Sequence, residues 1–189
     1  MFIVKSKYFF IIKSINDIQI DKLKKYHKFT IVYRASELNE NFDKLMHFRR
    51  ICKVKKIKFF VANNIKLAGL LKSDGVYISS SNKSFRPLHL NKSLFTIIGS
   101  AHNFKEIHLK IKQGCQYIIV SKIFKVDYDP SAKFMGVVKF NNLLNSNKNI
   151  IPLGGIKSSN LNKLRFVKSF GIAIMSEIKK KPTISSRLF

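Results

Sequence analysis

The stretch IIPLGGIKSSN, residues 150–160, places an apolar run, two adjacent glycines and three helix-capping residues in a row. The apolar run predicts a buried strand. The serines and asparagine at positions 158–160 predict a helix start, because their side-chain oxygens accept hydrogen bonds from the first free backbone N–H groups. Gly154 and Gly155 predict a tight corner, since glycine adopts backbone angles that other residues avoid. The stretch is therefore typical of one strand–corner–helix unit.

Similar apolar runs recur along the whole chain. They lack the alternation of apolar and polar residues that marks a half-exposed antiparallel sheet. Continuous apolar strands are typical of a parallel sheet covered by helices. The eight runs cover residues 9–14, 29–34, 58–63, 75–79, 95–100, 117–121, 149–155 and 171–176.

Helical patterns lie between these runs. Apolar residues at helical spacing predict three amphipathic helices. They fall within residues 38–56, at Phe104, Ile107 and Ile111, and at Leu161, Leu164, Val167 and Phe170. Two further segments are short: residues 65–72, and residues 84–92, which Pro87 interrupts.

Eight strands alternating with helices are compatible with a closed (βα)8 TIM barrel or an open doubly wound sheet. The count of eight and the absence of a G-x-G-x-x-G motif after the first strand favour the barrel. A chain of 189 residues is short for this fold, so some helices must be trimmed. We predict an α/β protein with one domain, residues 1–189, folded as a compact (βα)8 TIM barrel with shortened helices.

The chain is strongly basic, with 36 Lys and Arg against 10 Asp and Glu and a formal net charge of +26. Such a charge makes polyanions candidate partners. The lysines are spread from end to end, however, so we interpret most of the charge as solvated surface. The alternative is a nucleic-acid surface that includes the KVKKIK run, residues 53–58, on the face of the barrel opposite its active-site end.

Two cysteines, Cys52 and Cys115, lie far apart in sequence, so we expect no disulfide framework and a reducing cytoplasm. Lysines interrupt the apolar N-terminal residues, which we interpret as a first strand rather than a signal peptide. No apolar run approaches the roughly 20 residues that span a bilayer. We therefore expect a soluble cytoplasmic protein with no membrane partner.

In a (βα)8 barrel, the residues at the carboxyl ends of the strands form the active-site ring. Here that ring is polar, partly cationic and almost free of carboxylates, which suits phosphate groups better than a metal held by acids. Its members are Lys13 and Ser14, Arg34 and Ser36, Asn63 and Asn64, Ser79 to Asn82, Ser100 to Asn103, Ser121 and Lys122, Gly154 and Gly155, and Met175 to Glu177. We expect the glycines and the following helix start to hold a phosphate, with the residues after strand eight as its other half.

Ordered motifs along the chain resemble thiamine phosphate synthases and the related TenI thiazole tautomerases. DGVY at 74–77 is similar to the family's DGVH, and GSAHN at 99–103 to its G-x-S-x-H segment. The run from Gly114 to Phe124 is similar to GADYVGxGPIF. LGGI at 153–156 and GIAIMS at 171–176 resemble the family's phosphate-binding IGGI and GVAVVSAI.

The resemblance implies a transferase that joins hydroxymethylpyrimidine diphosphate to hydroxyethylthiazole phosphate and releases diphosphate. The diphosphate departs first, and the thiazole nitrogen captures the pyrimidine carbocation. Matching position by position, the catalytic candidates are Arg34, Ser100 and Lys122. The substrate-binding candidates are Asn63, His102, Lys125, Gly154, Gly155, Met175 and Ser176.

The resemblance also implies Mg²⁺, but the two metal-binding aspartates of the family correspond to Asn64 and Asn82. Asparagine offers an oxygen without the charge that makes Mg²⁺ binding strong. Two alternatives therefore stay open beside the synthase: a TenI-like activity, and a catalytically silent barrel that binds thiazole phosphate or thiamine phosphate. The TenI histidine position is Lys122 here.

Overall fold

The computed structural model describes residues 5–23, 26–35, 40–89, 95–147 and 149–175. All eight predicted strands are present, each close to the position predicted for it. They are Lys7–Ile12 (β1), Phe29–Tyr33 (β2), Lys58–Ala62 (β3), Gly75–Ile78 (β4), Thr96–Ala101 (β5), Tyr117–Ser121 (β6), Ile150–Leu153 (β7) and Gly171–Ile174 (β8).

The strands form one parallel sheet in the order β7-β6-β5-β4-β3-β2-β1-β8. Strand β1 pairs with β2 on one side and with β8 on the other, in register Tyr8 to Phe29 and Tyr8 to Ile172. The last strand thus returns to the first, and β7 and β8 lie side by side at the remaining gap. This sequential order confirms the predicted α/β barrel, nearly closed, and is incompatible with an open doubly wound sheet, in which the strand order reverses.

The barrel interior is filled with side chains from every strand. Because alternate residues of a strand point to opposite faces, each strand places one or two residues inside. The interior set is Phe9, Ile11, Val32, Phe60, Tyr77, Ile98, Ile119, Ile151 and Ala173, all nearly inaccessible to solvent. The barrel is therefore a packed core without a pore, and a ligand can bind only at its ends.

Within the described ranges, five helices cover the outside of the sheet. They are Phe42–Val54 (α1), Ile65–Leu70 (α2), Phe104–Lys112 (α3), Gly136–Ser146 (α4) and Leu161–Leu164 (α5). Short 3₁₀ turns connect β1 to β2, and the 3₁₀ turn Arg86–His89 precedes β5. The predicted trimming of helices is confirmed: α2 has six residues and α5 four, and the described residues after β1 and β4 form 3₁₀ turns in place of a full helix.

Helix α5 is shorter than its apolar spacing predicts. It ends at Leu164, whereas the pattern extended to Phe170. Val167 is buried in the outer apolar layer and Phe170 packs against the barrel interior, so both face apolar surroundings without being helical. The chain has only six residues between Leu164 and β8, and it must use them to return to the sheet.

Asp74 anchors the amino-terminal end of the barrel. Its carboxylate accepts a hydrogen bond from the backbone N–H of Phe59 at 2.8 Å and forms ion pairs with Arg49 and Lys58, both at 3.1 Å. These contacts join α1, β3 and the start of β4. Asp74 directly precedes β4 and therefore lies at the end of the barrel opposite the strand carboxyl ends.

Ser169 stabilises the gap between β7 and β8, and its loss is a test of that closure. Its buried hydroxyl donates to the Ile150 carbonyl at 2.8 Å. We expect Ser169→Ala to lower the free energy of unfolding by about 1–3 kcal/mol, because a buried carbonyl loses its partner. Urea denaturation measures the change. Ser131→Ala removes an exposed hydroxyl and serves as the control, with an expected change within about 0.5 kcal/mol; equal losses in both variants would contradict the closure role of Ser169.

Candidate active site at the strand carboxyl ends

Three side chains meet at the centre of the barrel mouth: Arg34 after β2, Tyr77 in β4 and Ser100 in β5. Tyr77 is buried, and its hydroxyl interacts with the Ser100 side chain. Burial raises the pKa of Tyr77, and the interactions with Ser100 and with the Arg34 charge partly offset that rise. Arg34 itself is exposed. The mouth therefore has an uncharged hydroxyl floor beneath an accessible cation.

Sequence reasoning singled out Arg34 and Ser100 but not Tyr77. The signal was present, because the alternation along β4 places Tyr77 on the interior face, two residues before Ser79. A tyrosine on the interior face of β4, one residue before the strand ends, brings its hydroxyl to the level of the mouth.

Asn63 joins the loops that follow β3 and β4. Its side chain donates to the Ser79 hydroxyl at 3.0 Å and accepts from the Ser79 backbone N–H at 3.0 Å. The same oxygen also accepts from Asn82 Nδ2 at 3.3 Å. Asn63 has a φ of 56°, a left-handed conformation that asparagine tolerates better than most residues. These bonds fix the two loops to one another.

The asparagine cluster, defined as Asn63, Asn64 and Asn82, does not fit a divalent cation. Each of its side-chain oxygens already accepts a hydrogen bond from the protein. Asn64 Oδ1 caps α2 by accepting from Leu67 N at 2.9 Å, and Asn82 Oδ1 accepts from Ser84 N at 2.9 Å. Mg²⁺ prefers carboxylate oxygens, and the described residues contain no group of three or more His, Cys, Asp or Glu side chains that could hold a metal. The residues at the expected Mg²⁺ position therefore carry no negative charge, and their side-chain oxygens are already partly engaged in hydrogen bonds within the protein.

A buried lysine supports the asparagine cluster from below. Lys110 in α3 is fully buried, and its ammonium donates to the Asn82 carbonyl at 2.7 Å and to Gln113 Oε1 at 2.8 Å. Gln113, also fully buried, donates to the carbonyls of Asn82 and Ser84 at 3.1 and 2.7 Å. Burial lowers the pKa of Lys110. The loop after β4 is thus held by two side chains of α3.

The packing face of α3 differs from the sequence prediction. Phe104 and Ile111, expected to face the sheet, are 64% and 48% exposed, whereas Ile107 and Lys110 are buried. Lys110 follows Ile107 by three residues, so both lie on the same face of α3. A lysine in a helix normally predicts solvent exposure, and the hydropathy pattern therefore did not assign Lys110 to the packed face. Lys110 is buried because its aliphatic stem packs under the sheet and its amine reaches backbone carbonyls.

The ends of β5 and β6 carry the next cluster of candidates. His102 Nδ1 and the Ser121 hydroxyl are 2.9 Å apart. The Lys122 ammonium is 3.8 Å from Asp129 Oδ2 and 5.4 Å from the centre of the Tyr128 ring. A hydrogen bond from Ser131 is the main cause that lowers the pKa of Asp129, with the Lys122 charge contributing. Lys122 is therefore a partly buried cation paired with one acid and one aromatic ring.

The glycine corner after β7 packs against the loop after β6. Gly154 and Gly155 have φ of 95° and 68°. A Cβ atom on Gly155 would lie 2.4 Å from the Lys125 carbonyl oxygen and 2.5 Å from that of Phe124. Asn160 Nδ2 donates to the Gly155 carbonyl at 2.6 Å. Glycine is thus required by the chain's own backbone here, independently of a ligand, and the Lys125 side chain is exposed.

The helix after the glycine corner is too short for the predicted dipole effect. Residues Ser158–Asn160 form a 3₁₀ turn and α5 adds four residues, so few peptide dipoles align. Met175 lies just beyond β8 and packs against the barrel interior. Ser36, Ser176 and Glu177 lie outside the described residues, so the predicted second half of the phosphate site stays a prediction.

Fold and mouth together define a (βα)8 barrel whose strand carboxyl ends are polar and cationic. Comparison with known proteins gives the family. The model of the family described as thiamine monophosphate synthase matches residues 9–178. The chain belongs to this family, as its motifs predict.

Curated relatives named thiamine-phosphate synthase are distant from this chain. The Methanococcus vannielii protein is 26% identical over 121 residues, which cover 64% of this chain and 59% of that protein. A Prochlorococcus marinus protein is 26% identical over 152 residues, which cover 78% of this chain and 44% of that protein. The Clostridioides difficile protein is 29% identical over 150 residues, which cover 77% of this chain and 70% of that protein. The chain therefore spans only about half of the length of the first two relatives.

Solved structures confirm the fold. The thiamine phosphate pyrophosphorylase from Pyrococcus furiosus superposes with a TM-score of 0.74 at 18% identity, covering 97% of this chain and 93% of that one. KGPDC from Streptococcus mutans superposes with a TM-score of 0.67 at 10% identity, covering 98% of this chain and 95% of that one. Among the described residues, no helix has both the length and the apolar character needed to cross a membrane.

Two glycine variants separate backbone strain from steric clash at the corner. Gly136 has a φ of 76° and nothing within 4 Å of an added Cβ, so Gly136→Ala should lower stability by about 1–2 kcal/mol through strain alone. Gly155→Ala adds the clash with residues 124 and 125 and should lose about 1–3 kcal/mol more. Thermal and urea unfolding measure both. If the two variants lost equal stability, the corner would be looser than the structure indicates.

Proposed function

We propose that this chain is a thiamine phosphate synthase-type transferase that joins hydroxymethylpyrimidine diphosphate to hydroxyethylthiazole phosphate. Family membership over residues 9–178 and relatives named thiamine-phosphate synthase support this activity. The observation that carries the proposal is the group at the mouth, where the exposed Arg34 lies close to the buried Tyr77–Ser100 pair. A cytoplasmic location fits such a biosynthetic role.

In the proposed reaction, the bond between the pyrimidine methylene carbon and the diphosphate oxygen breaks first. Its electron pair leaves with the diphosphate, and the lone pair of the thiazole nitrogen then forms the new carbon–nitrogen bond. Arg34 stabilises the charge that develops on the leaving oxygen, and Lys122 is the second cation at the mouth. Ser100 and the Tyr77 hydroxyl form the floor on which the pyrimidine is positioned.

The remaining candidates divide between the two substrates. We assign Gly154, Gly155, Met175 and Ser176 to the phosphate of the thiazole. We assign Lys125, Asn63 and His102 to contacts around the pyrimidine and its diphosphate, because each follows a strand that ends at the mouth. Mg²⁺ has no role in these assignments, since Asn64 and Asn82 do not fit the ion.

A catalytically silent binding barrel is the second candidate function. The asparagine cluster favours it, because neutral side chains with engaged oxygens occupy the expected metal position. Such a protein would bind thiazole phosphate or thiamine phosphate without forming the carbon–nitrogen bond.

Incubation of the purified protein with both substrates, with and without Mg²⁺, distinguishes the two candidates. Formation of thiamine phosphate, measured by chromatography, is the expected result. Arg34→Gln should lower the rate by about a hundredfold, because a charged donor to the leaving group is lost. Arg50→Gln, on the exposed side of α1, is the matched control and should leave the rate unchanged.

Two results would change the proposal. No product from a preparation that binds thiazole phosphate would favour the silent barrel. Equal rates for Arg34→Gln and the unaltered chain would remove Arg34 from the reaction.

A further inference from the structure

A cavity of about 620 Å³ lies beside the mouth, between the start of α2 and the loop after β4. Its polar lining consists of Asn63, Asn64, Lys66, Asn82, Ser84 and Arg86. A cavity of this size accommodates a small ligand. It is separate from the glycine corner, which follows β7.

The part of the lining that the structure describes carries positive but no negative groups. Lys66 and Arg86 both contribute to it, and none of these described lining residues is an aspartate or glutamate. Val76, Tyr77 and Ile78 form an apolar wall that is almost fully buried, whereas Lys66 and Arg86 are themselves exposed. The local field therefore favours an anion.

Of the asparagine cluster, Asn64 presents a free amide donor to this cavity, since the amide nitrogens of Asn63 and Asn82 already donate to Ser79 and Asn63. The side-chain oxygens of Asn63, Asn64 and Asn82 each accept a bond from the protein. Within the described residues, Asn64 Nδ2 makes no hydrogen bond, so its two N–H groups are available to a ligand. Amide donors and two cations match the oxygens of a phosphate group.

We propose that this cavity binds a diphosphate or phosphate group directly, through Lys66, Arg86 and the amide of Asn64, without a divalent cation. Lys66 and Arg86 then supply the positive charge that a metal ion would otherwise bring. The choice of diphosphate as the anion rests on the proposed transferase function. The preference of the cavity for an anion over a cation rests on its lining residues alone.

Titration calorimetry with inorganic diphosphate in the presence of EDTA tests the proposal. The unaltered chain should bind diphosphate without metal. The double variant Lys66→Gln/Arg86→Gln should bind about a hundredfold more weakly, at roughly tenfold for each charge-assisted contact. The matched control, Arg50→Gln/Lys53→Gln, removes two exposed charges from α1 and should change the affinity little.

Restoring the acids provides the opposite test. Aspartate caps a helix as well as asparagine does, so Asn64→Asp/Asn82→Asp should fold normally. This variant should lose metal-free diphosphate binding by at least about tenfold and recover part of it when Mg²⁺ is added. Circular dichroism checks that each variant is folded.

Several outcomes would overturn the proposal. They are no diphosphate binding in EDTA, equal weakening in the cavity and control variants, or unchanged metal-free affinity in the aspartate variant. Because the readout is binding, a protein that binds diphosphate without forming thiamine phosphate would contradict the transferase and leave the cavity assignment intact. If product formation strictly required Mg²⁺ and diphosphate did not bind without metal, the transferase proposal would stand and the cavity assignment would be contradicted.

Discussion

Packing of the side chains inside the ring of strands is the constraint on which the rest of this structure depends. Each strand contributes to that interior, from Phe9 in β1 to Ala173 in β8. Once it is filled, ligands are excluded from the barrel axis and the chemistry is restricted to the strand ends. Asp74 occupies the amino-terminal end with structural ion pairs, so the carboxyl ends are left for function.

The fold was predictable because strand burial on both faces leaves an unmistakable pattern. Runs such as the one at 117–121 are apolar at every position but the last, and helices on one side with a packed interior on the other require that composition. Sequential pairing then follows, because each short helical connection reaches only the neighbouring strand. The positions of Arg34 and Ser100 at strand carboxyl ends were predictable for the same reason, and their roles in a reaction stay a prediction.

Side chains that depend on distant partners were not predictable. Lys110 is buried because Asn82, 28 residues earlier, offers a carbonyl to its amine, and no local pattern contains that information. Gly155 has the composition of a ligand-contacting corner, yet the backbone of residues 124 and 125 occupies the space beside it. In both cases local sequence identified a residue type, whereas its neighbours across the barrel determined its role.

The asparagine cluster separates the local roles of its side chains from negative charge. Asn64 Oδ1 caps α2, and Asn82 Oδ1 supports the turn at Ser84. A carboxylate oxygen could accept both of these bonds, but it could not replace the bond that Asn82 Nδ2 donates to Asn63. The amides therefore meet the local hydrogen-bonding needs without adding negative charge to the adjacent cavity. Beside Lys66 and Arg86, that neutrality favours an anion where two carboxylates would favour a cation.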